Sequence, residues 1–290
     1  MIRTATAYDI PALKRIWDSS FDDPINYIDF IFDRVAKPSN AVVYEENGVV
    51  VSMLLMLDTT FVFKDVSVEA VYILGAATLR KFQNKGIMTY LLENSENMAR
   101  ENGKQLSVLV PGDRFLIEYY KKRGYSTDFN LRTVKIKQGM LDNIPKPDTE
   151  VVIDKVPHNR IFEVREEALL EVPHISWSEE YISFIIEDAF VYGDHIALYE
   201  GNRGSAYAFY SENKGRLYIK ECLGTSSDAQ LILINEIVEK TRAKKARISL
   251  QVKSPLFSLQ GNVSPFGMSK PLNVNRYLRD LEPYMNMMFD

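Results

Sequence analysis

The chain has 290 residues, 46% hydrophobic and 26% charged, a balance that fits a soluble globular protein of one large domain or two ordinary ones. A net charge of -4 argues against nucleic acid as the main partner, and the single cysteine, Cys222, excludes an internal disulfide and a cysteine zinc site. No apolar run is long enough to cross a bilayer and MIRTATAYDI carries no signal-peptide core, so a reducing cytoplasm is expected and no membrane partner.

Taken along the chain, Ile2 to Thr6 reads as a short strand. Asp9 is placed to cap a helix carrying Ile10, Leu13, Ile16 and Trp17 on one face. Asp23-Pro24 opens a second helix to about Val35, with proline at its first position. Ala41 to Tyr44 and Val49 to Leu57 form a hairpin around Glu46-Asn47-Gly48. Val68 to Thr78 is the next strand, Met88 to Glu101 a helix, Leu106 to Val110 an apolar strand, and Tyr125 to Ile136 a last strand. Between these two strands Asp113 opens a short helix to Arg123, stopped by Gly124.

Asp142 to Glu150, with two prolines and little apolar content, reads as a linker. The order then repeats. Val151 to Val156 is a strand; Arg160 to Glu171 and Ser178 to Phe190 are helices. A hairpin of Ile196 to Tyr199 and Ser205 to Tyr210 follows, then strand Leu217 to Leu223, helix Asp228 to Lys240 and strand Ala246 to Val252. A period of about half the chain implies a duplicated domain, with units over 1–140 and 150–290.

The most informative stretch is Tyr72 to Leu92: a β-prone run, a polar loop, Gly86, and then a helical pattern. The first N–H groups of a helix have no intrahelical partner, and the helix dipole favours an anion there. Gly86 puts no Cβ in the way of a phosphate, and Arg80, Lys81 and Lys85 add positive charge. A phosphorylated cofactor is the expectation for the first half. The second half reads GTSSDAQLIL at the matching place, with no basic glycine loop, and so has lost the site.

These residues resemble the GNAT superfamily of N-acetyltransferases. The family's Gln/Arg-x-x-Gly-x-Gly/Ala motif is matched by Gln83-Asn84-Lys85-Gly86-Ile87-Met88, with Met88 where the family has glycine or alanine. Its aromatic segment is matched by Tyr120 through Gly124-Tyr125. The tandem layout resembles the enhanced intracellular survival (Eis) acetyltransferases, without their sterol-carrier-like third domain. The resemblance implies an α/β (α+β) fold of two tandem GNAT-like domains, each a mixed, mostly antiparallel sheet flanked by helices.

It further implies acetyl-CoA as co-substrate, held by Gln83, Asn84, Lys85, Gly86, Ile87 and Met88 at its diphosphate and by the backbone of Ala76 and Thr78 along its arm. Tyr120 matches the family's general acid; its other reading is a core aromatic. Tyr119 reads as packing or surface. Gly75 marks either a bulge that splays the strands or close packing on a helix. No glutamate stands at the family's base position, where the chain has Tyr72; Glu69 lies nearer the start of the strand.

In the Eis-like branch the carboxyl terminus enters the active site. The tail YLRDLEPYMNMMFD is too apolar for a disordered end. It either docks near the first site, bringing Asp290 close as a second catalytic candidate, or packs on the second half. Asp22-Asp23 reads as a helix cap or as an acidic rim for an ammonium group. His158, His174 and His195 are too widely spaced for a metal site.

The expected activity is acetyl transfer to a primary amine of a small molecule or peptide, with homo-oligomerisation left open. The contrasting readings are a catalytically inactive ligand-sensing or protein-binding module on the same fold, and a tRNA-dependent aminoacyl transferase, which the acidic balance disfavours.

Overall fold

The computed structural model describes residues 1–137, 139–273 and 281–289. In the first half, strands β1 (Ile2–Thr4), β2 (Ala41–Glu46), β3 (Val49–Phe63), β4 (Val66–Thr78), β5 (Leu106–Leu109) and β6 (Ser126–Ile136) alternate with helices. The helices are α1 (Ile10–Asp18), α2 (Ile25–Phe30), α3 (Ile87–Glu101) and α4 (Arg114–Lys121). The second half holds strands β7 (Val152–Ile153), β8 (His174–Ser176), β9 (His195–Gly201), β10 (Gly204–Asn213), β11 (Arg216–Gly224), β12 (Lys245–Gln251) and β13 (Asn262–Pro271). Its helices are α5 (His158–Leu169), α6 (Glu179–Val191) and α7 (Ser227–Thr241).

All the strands join one mixed, mostly antiparallel sheet, in the order β1-β2-β3-β4-β5-β13-β6-β12-β11-β10-β9-β7, with β8 on the side of β3. The parallel pairs are β4–β5 and β11–β12, one in each half. Matching the halves element by element makes β6 the counterpart of β13 and β5 the counterpart of β12, and the sheet order then reads the same from either end. The halves have therefore exchanged a strand. β13 pairs with β5, β6 pairs with β12, and the two exchanged strands pair with each other at the centre.

The exchange is held by buried polar contacts. Arg132 of β6, 2% exposed, donates to the carbonyls of Val252, Ser254, Leu256 and Gln260 in the connection between β12 and β13. Lys270 of β13 pairs with buried Glu96 on α3. Helices α1, α2, α5 and α6 share one apolar core on one face of the sheet; α3 and α4 cover the other face in the first half, and α7 covers it in the second.

Several local expectations are corrected. β3 and β4 run on past Leu57 and begin before Val68, because the Asp58–Phe63 stretch keeps a β-branched and aromatic pattern up to a tight turn at Lys64. Asp9 does not cap α1: its carboxylate turns back to Arg3 at 2.7 Å and to the Thr6 N–H. α2 begins at Ile25 with Pro24 at its N-cap rather than at its first position, and Asp23 accepts from Trp17 Nε1 at 2.7 Å and from the Tyr192 hydroxyl at 2.6 Å. β7 is shorter than Val151 to Val156. The 142–150 segment carries no helix or strand and lies against the second half, where Asp148 accepts from the Tyr199 hydroxyl and the Asn202 N–H.

Candidate active site

The site begins with a defect in β4. Leu74 lies opposite Leu55 and Ala77 opposite Met53, so β4 carries one residue more than β3 across this interval. The extra residue falls at Gly75–Ala76, with Gly75 at φ +62°. A Cβ on Gly75 would lie 2.3 Å from Cζ3 of Trp17 on α1. The two readings of Gly75 are therefore one fact: the bulge turns the strand, and the missing side chain admits the indole. On its other side β4 pairs with β5 only from Ala70 to Tyr72. Beyond Tyr72 the parallel strands part, and Ala76 has no register partner on either neighbour.

A groove of about 460 Å³ opens from this point. It is lined by Ala76, Thr78, the loop and α3 residues Phe82, Gln83, Asn84, Gly86, Ile87, Met88 and Thr89, the α4 residues Leu116, Tyr119 and Tyr120, and Arg123 just past α4. Gly86 is left-handed (φ +79°, ψ 0°) and a Cβ built on it meets nothing, so its backbone faces open space. Asn84 is also left-handed, at φ 60°. The first bond into α3 runs from the Tyr90 N–H to the Gly86 carbonyl, 3.0 Å, and the N–H groups of Asn84 to Thr89 make no hydrogen bond among the described residues. That row of donors, at the positive end of a helix dipole, fits an anion.

Two loop residues depart from expectation. The Gln83 side chain donates to the Thr78 carbonyl at 2.9 Å and its N–H reaches the Arg80 carbonyl at 3.4 Å, so Gln83 braces the loop and the free row begins at Asn84. The Thr78 carbonyl thus already accepts one bond, and its hydroxyl is bonded to Ser52 at 2.8 Å. Lys85 does not line the groove; its ammonium sits 5.0 Å from the centre of the Phe82 ring. Arg80, Lys81 and Lys85 are exposed and make a cationic rim.

α4 starts at Asp113, whose carboxylate accepts from the Leu116 N–H at 2.9 Å, and ends at Gly124 with φ +89°. This fixes Tyr120 in the groove wall, 8% exposed, edge-on to Tyr119 and Tyr125. Burial, with a contribution from Tyr119, pushes its phenol up to about 12, and Arg123 acts the other way. Its hydroxyl makes no hydrogen bond among the described residues, leaving it available to a ligand. Tyr119, read from sequence as packing or surface, lines the groove beneath Arg123. Thr89 and Arg123 were also not anticipated; the signal for Arg123 was the Lys-Lys-Arg run against the glycine that ends α4.

No carboxylate lines the groove among the described residues. Glu69 stands at the far end of β4, paired with Lys104 at 2.9 Å. Asp290 lies outside the described residues. The tail leading to it touches both halves. Tyr284 donates to buried Glu221 and the Asn286 amide to the Lys220 carbonyl, while Phe289, fully buried, packs on Trp177 and Tyr181 and accepts from the Tyr72 hydroxyl at 3.0 Å. The histidines stand apart: His174 is buried against the Val172 carbonyl, His195 pairs with Asp154, and His158 meets Ser183. Cys222 is buried on β11, and burial raises its thiol. No helix among the described residues is long and apolar enough to cross a membrane.

Residues 1–127 match the family model of an acetyltransferase (GNAT) domain. No curated protein matches the chain by sequence. Among solved structures, a GCN5-related N-acetyltransferase from Kribbella flavida is 16% identical, with a TM-score of 0.73 over 94% of this chain and 71% of that one. Eis1 from Mycobacterium abscessus is 9% identical, with a TM-score of 0.74 over 94% of this chain and 74% of that one. A tandem GNAT protein from the clavulanic acid biosynthesis pathway is 9% identical, with a TM-score of 0.55 over 95% of this chain and 99% of that one. At such identities the likeness is one of fold: two GNAT-like units in an Eis-like tandem.

Proposed function

We propose that this chain is an N-acetyltransferase that moves the acetyl group of acetyl-CoA to a primary amine, using the groove of the first half. The observation that carries the reading is the conjunction of three features in one groove. A parted pair of parallel strands, a row of free N–H groups at Asn84 to Thr89 and a buried phenol at Tyr120 line the same space. The match of residues 1–127 to an acetyltransferase domain supports it.

The residues fit such a co-substrate. Asn84 to Met88 would hold its diphosphate, and the open side of β4 at Ala76 would hold its arm. Acetyl-CoA supplies the activated acyl group. The chain's own residues supply the rest. The Ala76 N–H, in the bulge where β4 has no register partner, would donate to negative charge developing on the carbonyl oxygen. Tyr120, a phenol protonated at neutral pH and kept so by burial, gives its proton to the departing sulfur. The amine nitrogen forms the new bond to carbon as the carbon–sulfur bond breaks, and the surplus amine proton passes to water, which returns a proton to the Tyr120 phenolate, since no carboxylate lines the groove among the described residues.

The test is free-thiol release from acetyl-CoA across a panel of amines, beside calorimetry with CoA. Amine-dependent release is expected. Absence of CoA binding overturns the reading. Binding without turnover on any amine supports an inactive ligand-sensing module instead.

A further inference from the structure

We infer that Arg123, stacked on Tyr119 and tied to Thr89, is a phosphomonoester site that reads the 3′-phosphate of CoA and selects CoA over its dephosphorylated form. The inference rests on the proposed use of the groove and adds a specificity residue to it. The Arg123 guanidinium lies 3.3 Å from the centre of the Tyr119 ring. Its Nε donates to Thr89 Oγ1 at 3.1 Å, its Nη2 donates to the same oxygen, and its Nη1 donates to the Tyr119 carbonyl at 2.6 Å. A guanidinium has five N–H donors. Three are used by these contacts, which leaves one on each Nη.

A pair of that kind is the fork that grips two oxygens of one phosphate, and stacking plus the Thr89 bonds hold it in place beforehand. The positive charge is also uncompensated. Among the described residues no carboxylate lies within ion-pair distance of Arg123, although arginines elsewhere, such as Arg3 and Arg160, each have two. Half-buried, cationic and lining the groove, Arg123 has no carboxylate partner among the described residues.

Its position sets it at the α3 end of the N–H row, away from the loop residues Asn84 to Gly86 where that row begins. The N–H row belongs to the loop wall, ending at the first turn of α3. Arg123 stands two residues past α4 and is anchored on the side chain of Thr89, the last residue of that row. A ligand that lays one phosphate pair on the loop and carries a further phosphate on its sugar meets both. A diphosphate ester alone meets only the first.

The experiment measures dissociation constants of CoA and 3′-dephospho-CoA by calorimetry for the wild-type chain, Arg123→Gln and Arg123→Lys, with circular dichroism as the folding control. Wild-type protein is expected to bind CoA at least tenfold more tightly than dephospho-CoA. Arg123→Gln should weaken CoA at least tenfold while changing dephospho-CoA less than twofold, and Arg123→Lys should recover part of the difference. Equal weakening of both ligands, or no wild-type preference, overturns the assignment and leaves the groove's wider role standing. Failure of wild-type protein to bind either ligand overturns both.

Discussion

The Tyr72 hydroxyl donates to the main-chain carbonyl of Phe289 at 3.0 Å, joining the strand that leads into the Gly86 loop to the tail of the chain. Tyr72 is also the last residue of β4 paired with β5, so this bond sits where the strands part. Phe289 is fully buried among Trp177, Tyr181 and Tyr72. Phe289→Ala is therefore expected to cost about 3–5 kcal/mol of stability, the usual range for emptying a buried phenylalanine site. Urea unfolding measures it. Deleting residues 287–290 should also lower turnover, and unchanged turnover would remove the tail from the mechanism.

Gly75→Ala forces a side chain into a left-handed position and against the Trp17 ring at 2.3 Å. Overpacking and backbone strain together predict a loss of about 2–5 kcal/mol. Trp17 reports on it directly through its fluorescence, and a variant as stable as wild type would show that the bulge is not needed.

Gly86→Asp places a β-carbon and a carboxylate where the free N–H row opens, at φ +79°. CoA affinity is expected to fall at least a hundredfold, from lost backbone approach and charge repulsion together. The folded state should lose only about 1–2 kcal/mol, the cost of a side chain in the left-handed backbone, because a Cβ there meets no protein atom. Titration calorimetry gives the comparison, with wild-type affinity as the contrary result.

Tyr120→Phe is expected to lower kcat about 100-fold, the ordinary scale of a general acid, with little change in CoA affinity. An equal loss of both would mark Tyr120 as packing. The phenol, pushed up to about 12, stays protonated across the working range. Turnover should then rise with pH as the acceptor amine loses its proton, and should not decline between about pH 7 and 10 on account of Tyr120.

Asp9 is held well below the usual carboxylate range by the Arg3 guanidinium, with the Thr6 N–H and hydroxyl assisting. A carboxylate depressed in the folded state adds stability above its unfolded value of about 3.9, and that stability disappears as pH falls below it. Wild type should exceed Asp9→Asn in stability at pH 6, and the gap should close steadily from about pH 4 to pH 2. A gap that is constant with pH would assign the effect to hydrogen bonding alone.

Much of this was legible in the residues. The strand, loop and helix from Val68 to Glu101, the hairpin around Asn47-Gly48 and the repeat of element order all follow from periodicity and turn chemistry. β13 was not. Its run carries Pro265, Gly267 and Pro271, which argue against a central strand. The structure accepts them because the pairing with β6 slips at Pro265–Gly267 and Pro271 is the last residue of the strand. β8 is three residues long and pairs across the halves, and no local pattern marks such a piece. Asp9 and Asp23 look like caps in sequence because capping is a local signal, whereas their partners Arg3 and Tyr192 are set by the tertiary fold. Arg123 escaped for the same reason: its meaning lies in Thr89, on another helix.

The exchanged strand bears on how the protein is made. When residues 1–137 have left the ribosome, β5 and β6 still lack the neighbour that comes to lie between them, because that neighbour is residues 262–271. The nascent first half must wait with two open edges, the condition that invites mispairing and chaperone capture. Maturation of the first half is thus tied to near-completion of translation, and slowing synthesis across the second half should lengthen the time spent in that vulnerable state.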